Sequence, residues 1–191
     1  YYNRVLKDKT FEQRTYGLYK MGFVHFNQEK YEESIKDFQM MIKESSGGKV
    51  NLKKKGLAAL VASYAEVEDG WQRAKAYFEK QGDTKFVRTK LQQIAKVLKN
   101  NGKDEDELAV YEHLVAMDTK HASVAEYAVY ITANYNRRSL FKKEEETINR
   151  FVTFLDPSRA WYLKNKTDQV ARVRANQYRD SQVNRLTISI L

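Results

Sequence analysis

Three histidines, His25, His113 and His121, are the side chains of this 191-residue chain best suited to proton transfer near neutral pH. None of them stands at the spacing of metal ligands in known sites. His25 falls on a predicted core position, where a packed histidine is expected. The acidic run Glu144–Glu146 is typical of a solvated helix start, because carboxylates there favour the helix dipole.

The sequence also lacks the motifs that carry most enzyme chemistry. It has no Gly-rich phosphate loop, no G-x-S-x-G turn and no H-E-x-x-H helix. The absence of cysteine excludes disulfides, cysteine-bound metals and thiol catalysis. We therefore predict a protein that is not an enzyme and binds no cofactor and no metal.

The composition favours an all-α fold. One proline and eight glycines leave long stretches free of helix breakers, and strand-like alternation is nearly absent. The last residues, Thr187 to Leu191, are the exception and predict a short strand or a frayed end. No apolar run is long enough to span a membrane. The chain opens on Tyr1 without a methionine, so we interpret it as a piece of a longer protein or a processed product.

Aromatic residues recur along the chain at helix-repeat spacing. Phe38, Phe78, Tyr111 and Phe151 are separated by 40, 33 and 40 residues. A period near 34 residues is typical of stacked helix-turn-helix units. Such units require their neighbours, because a single helix pair leaves an apolar face that it cannot cover alone.

The neighbours of these aromatics fit the pattern W-x2-L-G-x2-Y followed by A-x3-F, with the closest match in the second copy. The first-helix positions are Leu18, Met21, Gly22 and His25; Leu57, Leu60, Val61 and Tyr64; Leu91, Ile94, Ala95 and Leu98; and Tyr127, Tyr130, Ile131 and Asn134. The second-helix positions are Ser34 and Phe38, Ala74 and Phe78, Glu107 and Tyr111, and Thr147 and Phe151.

On these residues the chain resembles the tetratricopeptide repeat (TPR) family over roughly residues 15–157. The resemblance implies a right-handed α-solenoid of about four TPR-like helix-turn-helix repeats. We place the repeats at about residues 15–50, 51–83, 84–119 and 120–157. Residues 1–14 are interpreted as the remnant of a preceding helix, and residues 158–191 as a basic capping helix and tail. The alternative is an irregular helical bundle whose aromatic core positions happen to recur.

Turn signals between the apolar segments predict the helix bounds. Ser45-Ser46-Gly47-Gly48 ends one helix, and Gly102 or a neighbouring asparagine is expected in a left-handed turn. The predicted helices span residues 13–28, 31–44, 52–68, 71–80, 85–99, 105–117, 123–137, 142–155 and 160–179.

In the TPR family, the first helices of successive repeats line a concave groove. The resemblance therefore implies a groove with an aromatic end, Tyr16, Tyr19, Phe23 and Phe26, followed by Lys55 and then by Lys96 and Lys99. A fitting partner would be a protein segment or helix with an apolar anchor at one end and acidic groups at the other. The aromatic residues have a second interpretation that stays open, as core covered by an upstream repeat. The lysine and asparagine with which some family members hold a terminal carboxylate are replaced by Tyr19 and Phe23.

The formal net charge is +9, and the C-terminal end contributes much of it. Between Ser158 and Leu186 there are seven basic and two acidic residues. Arg172, Arg179 and Arg185 form a candidate basic face, whereas Arg174 points elsewhere on the helix. Nucleic-acid binding through this face is the alternative function. A protein–protein scaffold is preferred because no nucleic-acid-binding motif is present.

The segment from Phe154 to Asn165, Phe-Leu-Asp-Pro-Ser-Arg-Ala-Trp-Tyr-Leu-Lys-Asn, is similar to a motif of bacterial cell-envelope repeat proteins, including gliding-motility-type scaffolds. The resemblance implies a periplasmic or outer-membrane-associated scaffold that holds other envelope proteins.

Overall fold

The computed structural model describes the backbone of residues 11–45 and 50–188, and the side chains of residues 14–45 and 52–182. All regular secondary structure in these ranges is helical, and they contain no strand. The predicted all-α class is therefore confirmed. Among the described helices, none has the length and apolar character needed to cross a bilayer.

The described ranges contain ten helices, numbered here in chain order. They are α1 (Phe11–Asn27), α2 (Tyr31–Glu44), α3 (Val50–Tyr64), α4 (Gly70–Glu79), α5 (Thr84–Asn100), α6 (Asp104–Met117), α7 (Val124–Arg137), α8 (Phe141–Phe154), α9 (Ala160–Lys164) and α10 (Gln169–Ile188). The first eight begin and end within about four residues of the predicted bounds. Residues 11–14 belong to α1, and residues 1–10 lie outside the described part.

The prediction of one helix over residues 160–179 was wrong. The chain forms α9, leaves the helix after Lys164, and begins α10 at Gln169. Asp168 explains the new start, because its carboxylate accepts a hydrogen bond from the Ala171 amide at 2.9 Å, as an N-cap does. The helix α10 continues to Ile188, so the strand, one of two alternatives predicted for residues 187–191, is wrong at residues 187 and 188. Residues 189–191 lie outside the described part.

The chain divides into two compact units, one ending at Val97 and the other beginning at Leu98, so the division falls within α5. In the first unit, α1 contacts α2 and α3, α2 contacts α3, and α3 contacts α4. In the second unit, α7 contacts α6 and α8, and α10 contacts both α7 and α8. Each unit is therefore built from helices that are neighbours in sequence, with α10 added to the second.

The positions predicted to form the core are buried in all four helix pairs. The eight second-helix positions have exposed fractions between 0 and 7%. The first-helix positions are also buried, except that Met21, His25 and Tyr130 are partly exposed. The recurring pattern in the sequence thus corresponds to a recurring apolar face.

In the first unit, the close approach of α1 and α2 depends on Gly22. A Cβ atom at Gly22 would lie 2.6 Å from the ring of Phe38, which is too close for any other residue type without rearrangement. Next to this contact, the Ser34 hydroxyl donates to the Gly22 carbonyl at 2.9 Å and lies 2.9 Å from the Ser63 hydroxyl. These hydrogen bonds connect α2 to both α1 and α3.

In the second unit, a buried polar network joins α6 to α7. The Asn134 amide donates to the Asp104 carbonyl at 2.7 Å and to the Glu107 carboxylate at 2.9 Å. Arg137 pairs with the carboxylates of both Asp104 and Glu107. Because Glu107 is only 1% exposed, these partners are needed to offset the cost of burying its charge.

Three of the four helix pairs share one turn geometry. Glu29, Gly102 and Ser139 have φ angles of 60°, 70° and 56°. In each turn, the amide of the next residue donates at 2.9 Å to the carbonyl five residues before it. The left-handed conformation expected at Gly102 is confirmed. Asp69, with φ of 50°, takes the left-handed conformation in the remaining pair, directly before α4.

The left-handed turns predict opposite effects for two substitutions. Gly102→Ala should lower the free energy of unfolding by about 1 kcal/mol, because a side chain is strained at positive φ. No atom lies within 4 Å of the added Cβ, so a steric clash does not contribute. Ser139→Gly should raise the free energy of unfolding by roughly 0.5–1 kcal/mol for the same reason. Urea unfolding of both variants tests this, and a neutral Gly102→Ala variant would contradict the turn geometry.

The partly buried Tyr77 predicts a loss of stability at alkaline pH. Burial, aided by nearby Tyr64, raises the pKa of Tyr77 to about 12 from a usual value of 10.0. The folded chain therefore keeps a proton that the unfolded chain releases, so stability is full below pH 10 and falls as the pH rises toward 12. The free energy of unfolding, measured by urea titration at increasing pH, should fall less steeply above pH 10 in Tyr77→Phe than in wild type. Equal slopes would show that this phenol titrates alike in both states.

Candidate functional site

Three of the four predicted groove aromatics form a continuous row on α1, which we call the aromatic stripe: Tyr16, Tyr19 and Phe23. The ring centroids of Tyr16 and Tyr19 are 6.4 Å apart, and those of Tyr19 and Phe23 are 5.0 Å apart. Their spacing of three and four residues places them on one helix face. Phe26, the fourth predicted aromatic, packs edge-on against Tyr31 of α2 at 5.4 Å.

The aromatic stripe has a buried base and an exposed edge. The rings of Tyr19 and Phe23 lie 6.3 and 5.2 Å from that of Phe38, which is fully buried. Tyr16 is nevertheless 52% exposed and Phe23 is 37% exposed. In the described part of the first unit, these rings therefore pack against Phe38 on one side and expose apolar surface to solvent on the other.

The three predicted groove lysines are all exposed. Lys55 lies on α3 and Lys96 on α5, both in the first unit, while Lys99 lies in the last turn of α5 and belongs to the second unit. None of the three lines the cavity that the structure forms between α3 and the beginning of α5.

That cavity has a volume of about 460 Å³ and we call it the lysine groove. Its lining residues are Lys53, Lys54 and Leu57 of α3, Asp83 before α5, and Lys85, Phe86, Thr89 and Lys90 of α5. Leu57 is 8% exposed and Phe86 is half-buried, so the floor is apolar. Four of the lining residues are lysines, and Lys90 is the most buried of them.

The electrostatics of the lysine groove are unbalanced. Lys90 is only 9% exposed, and burial together with the nearby Lys54 lowers the pKa of its ammonium group. This group lies 5.6 Å from the centroid of the Phe86 ring and donates to the Gln93 side chain at 3.1 Å. Asp83 is the single acidic lining residue, and its carboxylate already accepts the Phe86 amide at 2.8 Å.

Sequence reasoning missed this groove because it chose lysines by their position in the repeat. The run Lys53-Lys54-Lys55 was a visible signal, but only Lys55 matched a groove position of the family pattern. Lys54 and Lys90 are far apart in sequence, and only the packing of α5 beside α3 brings them to one cavity.

Two arginines of the predicted basic face contact the segment that precedes α10. Arg172 donates to the Lys166 carbonyl at 2.9 Å, and its guanidinium carbon lies 5.5 Å from the centroid of the Tyr162 ring. Arg179 donates to the Asp156 carboxylate at 3.1 Å. The side chain of Arg185 lies outside the described residues. Arg174 faces α7 instead, where it pairs with Glu126 at 2.9 Å.

The segment with similarity to envelope proteins packs against the connection between α6 and α7. Trp161 is 1% exposed, and its indole N–H donates to the His121 carbonyl at 2.8 Å. The Asn165 amide donates to the Lys120 carbonyl at 3.0 Å. Both residues therefore fix α9 within the second unit.

The histidine expected in the core, His25, is partly buried between α1 and α2. Its Nδ1 lies 2.7 Å from the Asp37 carboxylate, and burial raises the pKa of that carboxyl group. Among the residues that the structure describes, no group of histidine, aspartate and glutamate is arranged to hold a metal ion.

No model of a known protein family matches this chain, and a search of curated proteins finds no similar sequence.

The buried ammonium group of Lys90 predicts a stabilising substitution. Lys90→Met keeps the unbranched apolar part of the side chain and removes a charge that burial and Lys54 both disfavour. We expect the free energy of unfolding at pH 7 to rise by roughly 1 kcal/mol. Urea unfolding measures this, with Lys96→Met, at an exposed position of the same helix, as the control. A destabilised Lys90→Met variant would show that the ammonium group is well compensated in the folded chain.

Proposed function

We propose that this chain is a TPR-like right-handed α-solenoid that acts as a non-catalytic scaffold and binds a segment of a partner protein. The repeat assignment is supported by the turn shared by three helix pairs and by the burial of the eight second-helix positions. Both helices of each pair contribute to the core, and the remaining face of each first helix is left to supply a binding face.

The exposed edge of the aromatic stripe is the observation that carries the proposal. Aromatic side chains are enriched at the centres of protein interfaces, since they bury much area and lose little conformational entropy. Tyr16 and Phe23 lie on one helix face, and the rings of Tyr19 and Phe38 hold Phe23 in place. An apolar side chain of a partner helix or extended segment would fit against such a pre-ordered row.

A bacterial envelope or motility assembly is the setting that we propose for this scaffold, on the resemblance of residues 154–165. Nucleic-acid binding is less well supported, because Arg172 and Arg179 are engaged in contacts within the second unit. The proposed partner is accordingly another protein.

Proximity crosslinking in the native cells tests the aromatic stripe. The protein is expressed from its native gene as wild type or as Tyr16→Ala/Phe23→Ala. We expect the crosslinking yield of selected partners to fall at least fivefold in the double variant, because the two substitutions remove the exposed apolar contact area. The matched control is Phe141→Ala, which removes an aromatic side chain that is 63% exposed on α8.

The variant must first be shown to fold, because Phe23 contacts the core residue Phe38. Circular dichroism and thermal unfolding serve this purpose, and Tyr16→Ala alone is used if the double variant is unstable. If a folded stripe variant retains every crosslinked partner, the proposal is wrong. Equal losses in the stripe variant and in Phe141→Ala would show that the effect is not specific to this face.

A further inference from the structure

The lysine groove concentrates positive charge, since four of its lining residues are lysines and only Asp83 is acidic. Lys53, Lys54 and Lys85 form no ion pair with any residue that the structure describes. Lys90 adds a fourth ammonium group, deeper in the same cavity. Like charges held together in a folded chain raise its free energy, and an anionic ligand would relieve the repulsion.

The shape of the lysine groove favours a ligand with an apolar part. Its volume of about 460 Å³ lies within the usual range of ligand pockets. Leu57 and Phe86 provide an apolar floor, and the rings of Phe86 and Phe78, 5.9 Å apart, fix this floor to the core of the first unit. If an aliphatic side chain of a peptide packed against this floor, carboxylates of the same peptide would lie near the lysines of the groove.

The ligating groups favour separate carboxylates over a phosphate. Phosphate sites commonly use arginine forks or the free amides of a helix start, because both match the geometry of a compact multivalent anion. The lysine groove is lined by no arginine, and at the start of α5 the Phe86 amide already donates to the Asp83 carboxylate, so that amide is not available to a phosphate. Ammonium groups spread along a rim act as separate point charges and suit anions that are spread along an extended peptide.

We propose that the lysine groove binds an acidic peptide segment of a partner protein, with glutamate or aspartate side chains on Lys53, Lys54, Lys85 and Lys90 and one aliphatic side chain on Leu57 and Phe86. This site lies at the beginnings of α3 and α5, and its lining residues do not include Lys55, Lys96 or Lys99, the groove lysines that the TPR resemblance implies. The inference rests on the proposed scaffold function, because it takes the ligand to be a protein segment.

Fluorescence anisotropy with synthetic peptides tests the site on the purified 191-residue chain. The probe is a dye-labelled peptide, Glu-Glu-Glu-Leu-Glu-Glu, and the comparison peptides replace every glutamate by glutamine or the leucine by serine. We expect saturable binding of the probe that weakens with rising salt, no binding of the glutamine peptide, and severalfold weaker binding of the serine peptide.

Charge reversal locates the binding site. Lys54→Glu/Lys85→Glu should raise the Kd of the probe at least tenfold. The matched control, Lys142→Glu/Lys143→Glu, makes the same change of charge at exposed positions of α8, and should alter the Kd less than twofold. Lys54→Gln/Lys85→Gln, a milder change, replaces the reversal variant if that variant does not fold.

Three results would overturn the inference. The first is the absence of saturable binding by the probe. The second is equal weakening by the two charge-reversal variants, which would indicate a response to net charge alone. The third is lysine-dependent binding of vesicles containing phosphatidylserine, or of inorganic phosphate, in place of the peptide. If the peptide fails while partners in cells still depend on Tyr16 and Phe23, only this inference fails. If those partners are retained by the stripe variant, the scaffold proposal fails whatever the peptide does.

Discussion

The contact of Phe38 with Gly22 is the constraint on which the first unit depends. The absence of a Cβ atom at Gly22 lets the ring of Phe38 lie against the backbone of α1. This close approach brings Ser34 within reach of the Gly22 carbonyl and of Ser63, so that α1, α2 and α3 are joined at one place. It also positions the rings of Tyr19 and Phe23, which pack against the ring of Phe38. The candidate binding surface is thus the outer layer of the core contact.

The other helix pairs keep the buried positions but fill them differently. Ala74 and Phe78 repeat the small-then-aromatic order in the first unit, whereas the second unit places Glu107 before Tyr111. A buried carboxylate at this point is tolerated because Asn134 and Arg137 bind it. Such a network tolerates substitution less well than an apolar contact does, since removing one partner leaves a buried charge without compensation.

The lysine groove shows the opposite arrangement. Four lysines of α3 and α5 line one cavity, and Asp83 is the single acidic residue among its lining residues. At Lys90 in particular, burial and the nearby Lys54 disfavour the charged form and lower the pKa of the ammonium group. Residues that lower the stability of the folded chain are typical of binding sites, because such residues are selected for binding a ligand as well as for stabilising the fold.

The sequence by itself determined the helix class, the bounds of most helices and the recurring core, because helix periodicity and turn residues act locally. Gly102 and the aromatic series from Phe38 to Phe151 are examples. It also identified the aromatic stripe, since Tyr16, Tyr19 and Phe23 share one helix face. The break at Asp168 was missed because an N-cap in a polar segment is a weak signal. Only the tertiary structure decided that Arg172 and Arg179 bind the preceding segment, and that Lys54 and Lys90 line one cavity. These are contacts between separate elements, and no local rule specifies which charged side chains will meet when helices pack.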